Sequence, residues 1–414
     1  MERTRLIAAC HSALLASGRA ARDASPVHAD VRPRRSLIGA RPSTLLIVVL
    51  IGVRVLVLLL AIHRAPTTAD EDVHRFRQIS QTEGRPYRDF PVEYAPLEVL
   101  AIEAIGRPSI AATATNLVVL SFALDLAAFA AVVIGWGRRA GTMYLLLGLP
   151  LLGFLYYRLD PLPVALAVAG FALARKGDGR LGGVALALAC LAKLWPLVLV
   201  PALLIDGRRR AFGWFAGAFG LGLAGWIAFG GIDALRQVAT FRSAGGWSIE
   251  STVGAVVWTV TGGSVRLEAG SARTGTVTDW ARIALAIGML VAFAAVWIRA
   301  RSRDQRSSGE AATGALGALL FFAPLFSVQY ASWLLPWGAV AGDEREGRAS
   351  TAIVLAICVC TGATIPLATA VATQGLPVGA LQALLLVRDG LCAWLAFRFL
   401  RRRSADPDAR PLAA

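Results

Sequence analysis

"STLLIVVLIGVRVLVLLLAIH", residues 43–63, is the stretch that decides the class of this chain. Arg54 is its one charged residue before the terminal histidine, and about 20 such residues in a helix cross the ~30 Å hydrocarbon core of a bilayer. Over 414 residues, 56% are hydrophobic and 17% charged, more apolar surface than a soluble domain can bury. Similar runs predict further spans near residues 114–136, 141–157, 161–174, 211–230, 280–299, 312–328, 349–372 and 376–399. The chain is therefore predicted to be an all-α polytopic membrane protein.

The basic residues form short clusters between these runs. The formal net charge is +15, but no basic patch is interleaved with aromatic residues, so nucleic acid is excluded as a partner. Basic clusters stay on the cytoplasmic side of membrane spans, and here they lie at Arg138–Arg139, Arg175–Lys176, Arg208–Arg210, Arg299–Arg306 and Arg401–Arg403. We therefore expect residues 1–42 and 404–414 to be cytoplasmic tails and residues 43–403 to form the transmembrane domain. Segments 64–113 and 231–279 are then external loops, and the turn at residues 157–160 is also external.

Two apolar segments are interrupted in a way that predicts a turn inside the membrane. "LGGVALALACLAKLWPLVLVPALL" begins at Leu181 and carries Lys193 and Pro196 in its middle. A single crossing would leave the arginines that follow it outside, so we predict a hairpin of two half-helices. "QYASWLLPWGAVAG", from Gln329, also returns too soon for a full span. Such breaks are tolerated only where protein or a watery cavity surrounds them.

The first external loop is predicted to begin with a surface helix. Thr68 and Glu71 have capping-box spacing, which places the helix start near Ala69. A second surface helix is expected from Pro96, because proline favours the first position of a helix.

Three acidic residues, Asp70, Glu71 and Asp72, occupy the first turn of that first helix. Acidic side chains there can simply complement the helix dipole. A carboxylate at the bilayer surface is also what a general base for a lipid-linked substrate requires. The sequence leaves both interpretations open.

"GRPYRDFPVEYAPLEVL", residues 84–100, joins the two surface helices. Its charges could form a salt-bridged surface loop. Its prolines stiffen the loop, however, and its aromatic residues suit the headgroup level, so we favour a substrate site. The candidate residues are Arg85, Tyr87, Arg88, Asp89, Glu93 and Tyr94.

Three further charges lie where a bilayer makes them costly. Arg158 and Asp160, in "YYRLDPLP", stand between two predicted spans, and Lys193 stands at the predicted hairpin break. Ionisable groups within a membrane are rare and commonly functional. Pairing of Arg158 with Asp160, and extension of Lys193 toward the membrane surface, are the structural alternatives.

These residues together resemble a known family. "GRPYRDFPVEYAPLEVL", preceded by "DVHRF", is similar to the first external loop of the GT-C glycosyltransferases of family 87, the polyprenol-phosphate-mannose-dependent α-mannosyltransferase group. "RLDPLP", "LAKLWP" and "SVQYASWLLP" look like later elements of that family, in the same order. The resemblance covers roughly residues 43–400. Ala95 stands where the family usually has a proline, and Phe76 where it usually has a tyrosine.

The resemblance implies a GT-C-type bundle of roughly nine to eleven transmembrane or half-membrane helices, with interfacial helices in the first external loop. It implies inverting transfer of a hexose, mannose above others, from a polyprenyl-phosphate donor to a glycolipid or cell-envelope glycan. The active site would face the extracytoplasmic side of a bacterial plasma membrane. The catalytic acid of the family lies at the start of the first external loop, where Asp72 fits best and Asp70 is the alternative.

The remaining roles follow from this chemistry. A phosphate leaving group needs cations, and Arg88, Arg158 and Lys193 are the candidates. The other substrate-binding candidates are Arg85, Tyr87, Asp89, Glu93, Tyr94, Asp160, Glu250, Gln329 and Tyr330. For Glu250 ordinary loop polarity is the favoured alternative. We expect no cofactor and no divalent metal, because a monophosphate offers few metal ligands, although "DED" at residues 70–72 has the letters of a DxD motif.

Two other functions fit part of the pattern. Broken helices and buried charges also suit a flippase for lipid-linked sugars, but the sequence shows no internal repeat and has a large charged first loop. A non-catalytic membrane subunit could retain the same fold. The presence of both Asp72 and Arg88 favours an enzyme.

Overall fold

A computed structural model describes residues 43–67, 70–240, 245–268, 270–302, 308–344 and 347–401. The predicted tails, residues 1–42 and 404–414, lie outside the described residues, as does Thr68. Within these described ranges, six helices are long and apolar enough to cross a membrane, which confirms the predicted class. They are α1 (Thr44–Arg64), α4 (Ile110–Trp136), α10 (Arg209–Gly230), α13 (Asp279–Arg301), α16 (Arg348–Gln374) and α17 (Val378–Arg401).

Shorter helices complete the bundle. They are α5 (Arg138–Gly148), α6 (Leu152–Leu155), α7 (Pro161–Arg175), α8 (Gly179–Ala192), α9 (Pro201–Ile205), α14 (Ser308–Phe322) and α15 (Leu335–Asp343). The span predicted over 141–157 is broken: α5 ends at Gly148 and a 3₁₀ turn, Leu149–Leu151, follows. Pro150 lies in that turn, and proline removes a backbone donor that a continuous helix would use.

The predicted hairpin at Lys193 is confirmed. Helix α8 ends at Ala192, and Lys193 adopts an extended conformation. A 3₁₀ segment, Trp195–Leu199, and α9 then carry the chain back. The Arg208 guanidinium, after α9, donates a hydrogen bond of 2.6 Å to the carbonyl of Ala174, just before α8. Both arms of the hairpin therefore start and finish at the same end of the bundle.

A second hairpin has the same plan. Helix α14 runs inward, a 3₁₀ segment (Val328–Leu334) forms the tip, and α15 returns. The amide of Gly309, at the start of α14, donates to the carboxylate of Glu344, just after α15, at 2.9 Å. The two tips contact each other through Trp195 and Trp333, whose rings stack with centroids 5.1 Å apart.

Two helices, α2 (Glu71–Gln81) and α3 (Pro96–Ile105), occupy the segment between α1 and α4. Ala69, near which the start was predicted, lies outside the described residues; the helix begins at Glu71, and the carboxylate of its N-cap, Asp70, accepts a hydrogen bond from the Asp72 amide. Aspartate is a favoured N-cap because its oxygen satisfies an amide that the helix leaves unpaired. The predicted apolar face of α2 is buried through Val73, Phe76 and Ile79.

A small antiparallel sheet, which the sequence analysis did not predict, follows α11 (Ile232–Thr240). Its strands are β1 (Trp247–Ser248), β2 (Arg266–Glu268) and β3 (Ser271–Thr274), in the order β1-β3-β2, with α12 (Thr252–Thr261) between β1 and β2. Strands of two to four residues are too short to show the alternation that identifies a strand. The buried Arg273 holds them, donating to the carbonyls of Gly246 and Glu268.

Candidate active site

A cavity of about 760 Å³ lies where α2, the start of α3 and the tips of both hairpins meet. The turn between α6 and α7 forms one wall, and Gly270 and Ser271, at the edge of the small sheet, form another. Of the residues predicted for the site, the lining includes Asp72, Glu93, Tyr94, Arg158, Asp160, Lys193, Gln329 and Tyr330. Residues far apart in the sequence therefore share one polar chamber.

Asp72 and Asp70 have different surroundings. One oxygen of Asp70 accepts the Asp72 amide at 3.0 Å, and the other accepts Nη1 of Arg158 at 2.6 Å. Asp72 faces Nε of Arg158 at 3.2 Å, an ion pair without hydrogen-bond geometry, and 32% of its side chain remains exposed. Asp70 thus caps the helix and anchors the arginine, whereas the Asp72 carboxylate is available to the cavity.

The protonation of Asp72 reflects this position. Burial raises the pKa of Asp72, and the nearby Arg158 cation lowers it in part. A carboxylate whose pKa lies above its ordinary value accepts a proton more readily, which is the property of a general base.

Arg158 is held by the turn in which it lies. The hydroxyl of Ser121, on α4, donates to the Arg158 carbonyl at 2.6 Å. The neighbouring Tyr157 donates its hydroxyl to the carbonyl of Ala61, on α1, at 2.8 Å. The predicted alternative of an Arg158–Asp160 pair is not what forms, because Arg158 turns toward Asp70 and Asp72.

Behind that turn lies a buried polar cluster that sequence reasoning missed. Asp125, on α4, accepts Nε of Arg54 at 2.9 Å, the Tyr144 hydroxyl at 2.6 Å and the Tyr156 hydroxyl at 3.1 Å. Arg54 is 0% exposed and Asp125 is 1% exposed. The sequence did carry a signal for this cluster: Arg54 and Asp125 are charged residues in the middle of two apolar runs. Ionisable residues in such positions are seldom without a partner.

Lys193 is fixed at the tip of the first hairpin. Its ammonium donates to Oδ1 of Asp160 at 2.9 Å, and the same oxygen accepts the indole N–H of Trp333 at 2.7 Å. The ammonium also lies 5.0 Å from the ring centroid of Tyr330 and 5.7 Å from that of Trp333, within the range of cation–π attraction. Lys193 therefore faces the cavity, and the alternative of extension toward the membrane surface does not occur.

Glu93 and Gln329 line the cavity, and protein donors already occupy their carboxylate and side-chain oxygen. Arg75 makes a two-pronged contact with Glu93, at 3.0 and 2.8 Å. The side-chain oxygen of Gln329 accepts the Ser327 hydroxyl at 2.7 Å. Their hydrogen bonds to other protein groups fix the shape of the cavity wall.

Four predicted site residues, Arg85, Tyr87, Arg88 and Asp89, do not line the cavity. Asp89 accepts the amide of Arg85 at 2.6 Å, and Arg88 donates to the carbonyl of Ala228 on α10 at 3.0 Å. They close the loop on itself and attach it to α10. The structure therefore places the exposed Arg88 outside the cavity lining, with its guanidinium hydrogen-bonded to α10.

Tyr87 holds the same loop in an unusual conformation. Its φ is +72°, in the left-handed region that side chains other than glycine seldom adopt. The Tyr87 hydroxyl donates to the carbonyl of Tyr94 at 2.6 Å, and the Gln237 amide donates to the Tyr87 carbonyl at 2.9 Å. These contacts compensate the local strain and set the position of Tyr94 at the cavity wall.

Glu250 also lies outside the cavity lining. Its carbonyl accepts a hydrogen bond from the buried Arg388 of α17. Its carboxyl is close enough to Arg388 and Arg158 for both cations to lower its pKa, although burial raises that pKa overall. The polar and aromatic lining residues that sequence reasoning missed include His74, Arg75, Gln78, Glu98, Trp195, Ser327 and Trp333.

Within the described ranges, no group of three or more His, Cys, Asp or Glu side chains is arranged to hold a metal ion. Several charged groups of the chamber are paired with each other across helices, as in Lys193–Asp160 and Arg158–Asp72.

The bundle, its two re-entrant hairpins and the charged chamber at their tips define a multi-pass membrane protein with an enclosed polar site. The family model of glycosyltransferase family 87 matches residues 94–328, which is more than half of the chain, and the protein belongs to this family. It is a membrane glycosyltransferase. No curated protein matches the sequence. The matched region contains Arg158, Asp160 and Lys193, whereas Asp70 and Asp72 precede it.

Proposed function

We propose that this protein transfers a hexose, with mannose as the first candidate, from a polyprenyl-phosphate donor to a hydroxyl of a glycolipid or cell-envelope glycan. One observation carries the proposal: an available carboxylate, Asp72, and a cation, Lys193, line the same chamber. Displacement with inversion needs a base on one face of the sugar and a stabilised leaving group on the other.

The reaction then balances with the residues present. The acceptor oxygen attacks the anomeric carbon, and its proton passes to the Asp72 carboxylate. The bond from the anomeric carbon to the phosphate oxygen breaks, and its electron pair leaves with the phosphate. Preorganised cations stabilise such charge without reorganising during the reaction.

Lys193 suits the phosphate-binding role best among the predicted cations. Its ammonium lines the chamber and is held by Asp160 and two aromatic rings. Arg158 is engaged by Asp70 and Asp72, so we assign it to orienting the base and keeping it ionised. The scheme assigns no step to a metal ion, because the Lys193 ammonium takes the phosphate-binding role.

The orientation of the site is also a proposal, supported by charge. Arg138 donates to Thr44 at the start of α1, and Arg208 donates to Ala174 near the end of α7. These basic residues lie at the end of the bundle away from the chamber, which α2 and α3 cover. If basic clusters mark the cytoplasmic side, the chamber faces the extracytoplasmic side of the bacterial plasma membrane and the termini face the cytoplasm.

The test is transfer of radiolabelled mannose from polyprenyl-phosphate-mannose, using membranes that contain wild-type protein, Asp72→Asn, Asp70→Asn or Asp233→Asn. Asp233 is an exposed control on α11, paired only locally with Arg236. We expect Asp72→Asn to abolish transfer with protein level unchanged, and Asp233→Asn to retain it. Loss confined to Asp70→Asn would move the base to Asp70. A wild-type protein that transfers no sugar from several donors would overturn the proposed function.

A further inference from the structure

Glu98 is a buried carboxyl group that the mechanism above does not use. It lies in the first turn of α3, is 3% exposed, and contributes to the lining of the chamber. In the described part of the chain, no group donates a hydrogen bond to its carboxyl or forms an ion pair with it. Buried polar groups in proteins are nearly always satisfied, so this carboxyl is arranged to receive a partner from within the chamber.

The surroundings of Glu98 determine what it can bind. Burial raises its pKa to about 8, the nearby Lys193 lowers it, and the carboxylates of Asp160, Asp72 and Glu93 raise it further. The phenol groups of Tyr87 and Tyr330 also lie in this neighbourhood. At neutral pH the group is therefore mainly protonated. A protonated carboxyl both donates and accepts a hydrogen bond, as does the hydroxyl of a sugar.

We propose that Glu98 binds a hydroxyl group of the transferred hexose and selects the sugar by that contact. The inference rests on the proposed function and adds a sugar-binding residue to it. Among the charged groups that act on Glu98, Lys193 has the largest effect. Glu98 and Lys193 line the same chamber, and because Lys193 is assigned to the donor phosphate, we place the sugar of that donor against Glu98.

A purely structural role for Glu98 fits the chamber less well. A carboxyl buried for packing alone would cost free energy without a hydrogen-bond partner, and an apolar side chain would fill the same space at lower cost. A site built to hydrogen-bond a substrate hydroxyl also rejects an analogue that lacks it, because the protein group is then left unpaired.

The experiment compares donor selectivity in wild type, Glu98→Gln and Glu98→Met. The donors are polyprenyl-phosphate-mannose and a series of monodeoxymannose analogues, each lacking one hydroxyl. Gln retains a donor and an acceptor, and Met fills the buried volume without either. The control is Glu103→Gln, an exposed glutamate on the same helix. Amounts of folded protein are matched by size-exclusion elution in detergent.

We expect wild type to prefer the full hexose over one deoxy analogue by at least about tenfold. Glu98→Met should lose that preference, Glu98→Gln should keep most of it, and Glu103→Gln should match wild type. If Glu98→Met discriminates among the donors as wild type does, the inference is overturned while the transferase activity stands. A wild type without any transfer would instead overturn the proposed function itself, so the two failures are distinguishable.

Discussion

Asp125→Ala tests whether the buried cluster behind the active-site turn holds the protein together. The substitution removes the acceptor of three hydrogen bonds, from Arg54, Tyr144 and Tyr156, and leaves Arg54 as an unpaired charge among apolar helices. Tyr156 lies two residues before Arg158, so the same change loosens the turn that presents this arginine to the chamber. We expect both stability and transfer activity to fall.

The magnitude follows from the geometry. The Arg54–Asp125 pair has an N–O distance of 2.9 Å and side chains that are 0% and 1% exposed. Removing one partner of such a buried pair costs about 3–5 kcal/mol, because the remaining charge stays desolvated. The Arg236–Asp233 pair has nearly the same distance, 3.0 Å, but its side chains are 74% and 68% exposed. Exposed pairs contribute about 0–1 kcal/mol, so Asp233→Ala is a matched control.

The assay is equilibrium unfolding in mixed micelles with an increasing fraction of denaturing detergent, followed by tryptophan fluorescence. A third variant, Arg54→Met combined with Asp125→Leu, replaces the pair by apolar side chains. Such replacement is often neutral or stabilising, so this variant should recover most of the loss in the free energy of unfolding. Equal destabilisation by Asp125→Ala and Asp233→Ala, or a double variant less stable than Asp125→Ala, would refute the reasoning.

Three further predictions concern the roles assigned to Asp72, Lys193 and Arg88. Transfer should rise with pH as Asp72 ionises, and the midpoint of this rise should lie above the ordinary aspartate pKa of 3.8, because burial raises the pKa of Asp72. Arg158→Met should move the midpoint to higher pH, because the arginine cation lowers that pKa. A shift of the midpoint to lower pH would contradict the assigned effect of Arg158. Lys193→Met combined with Asp160→Asn, which leaves no buried carboxylate unpaired, should lower the rate of transfer about 100-fold; an unchanged rate would remove Lys193 from phosphate binding. Arg88→Ala should keep activity within about threefold of wild type, because the substitution removes an exposed hydrogen bond to the Ala228 carbonyl and no contact with the chamber. A 100-fold loss of activity would restore Arg88 as a phosphate ligand.

Local sequence signals predicted well where one residue decides the outcome. The break at Lys193 was predictable because a charge followed by a proline cannot continue an apolar helix. The buried face of α2 followed from the spacing of Val73, Phe76 and Ile79. The first residue of that helix was harder to predict, because Thr68 and Asp70 are both favoured capping residues and only one of them can be the N-cap.

Partners across the fold were not predictable. Asp160 is two residues from Arg158 in the sequence, yet it pairs with Lys193 on another helix, and Arg158 pairs with Asp70 on α2. The loop of residues 84–94 contains the most charge-dense motif of the resemblance, but Asp89 accepts a backbone amide of the same loop and Arg88 donates to α10. Charge density shows that a segment is polar and does not show which way its side chains point.

The class of this protein could be predicted without a structure, because the hydropathy of runs of about 20 residues depends only on composition along the chain. The two breaks inside apolar segments could also be predicted from the sequence, and the order of the short motifs pointed to the family. The tertiary structure alone decided which residues form the chamber. Packing of α2, α3 and the two hairpin tips brings Asp72, Glu98, Lys193 and Trp333 to one cavity. These side chains lie in segments separated by many residues, and no local pattern encodes the contacts between them.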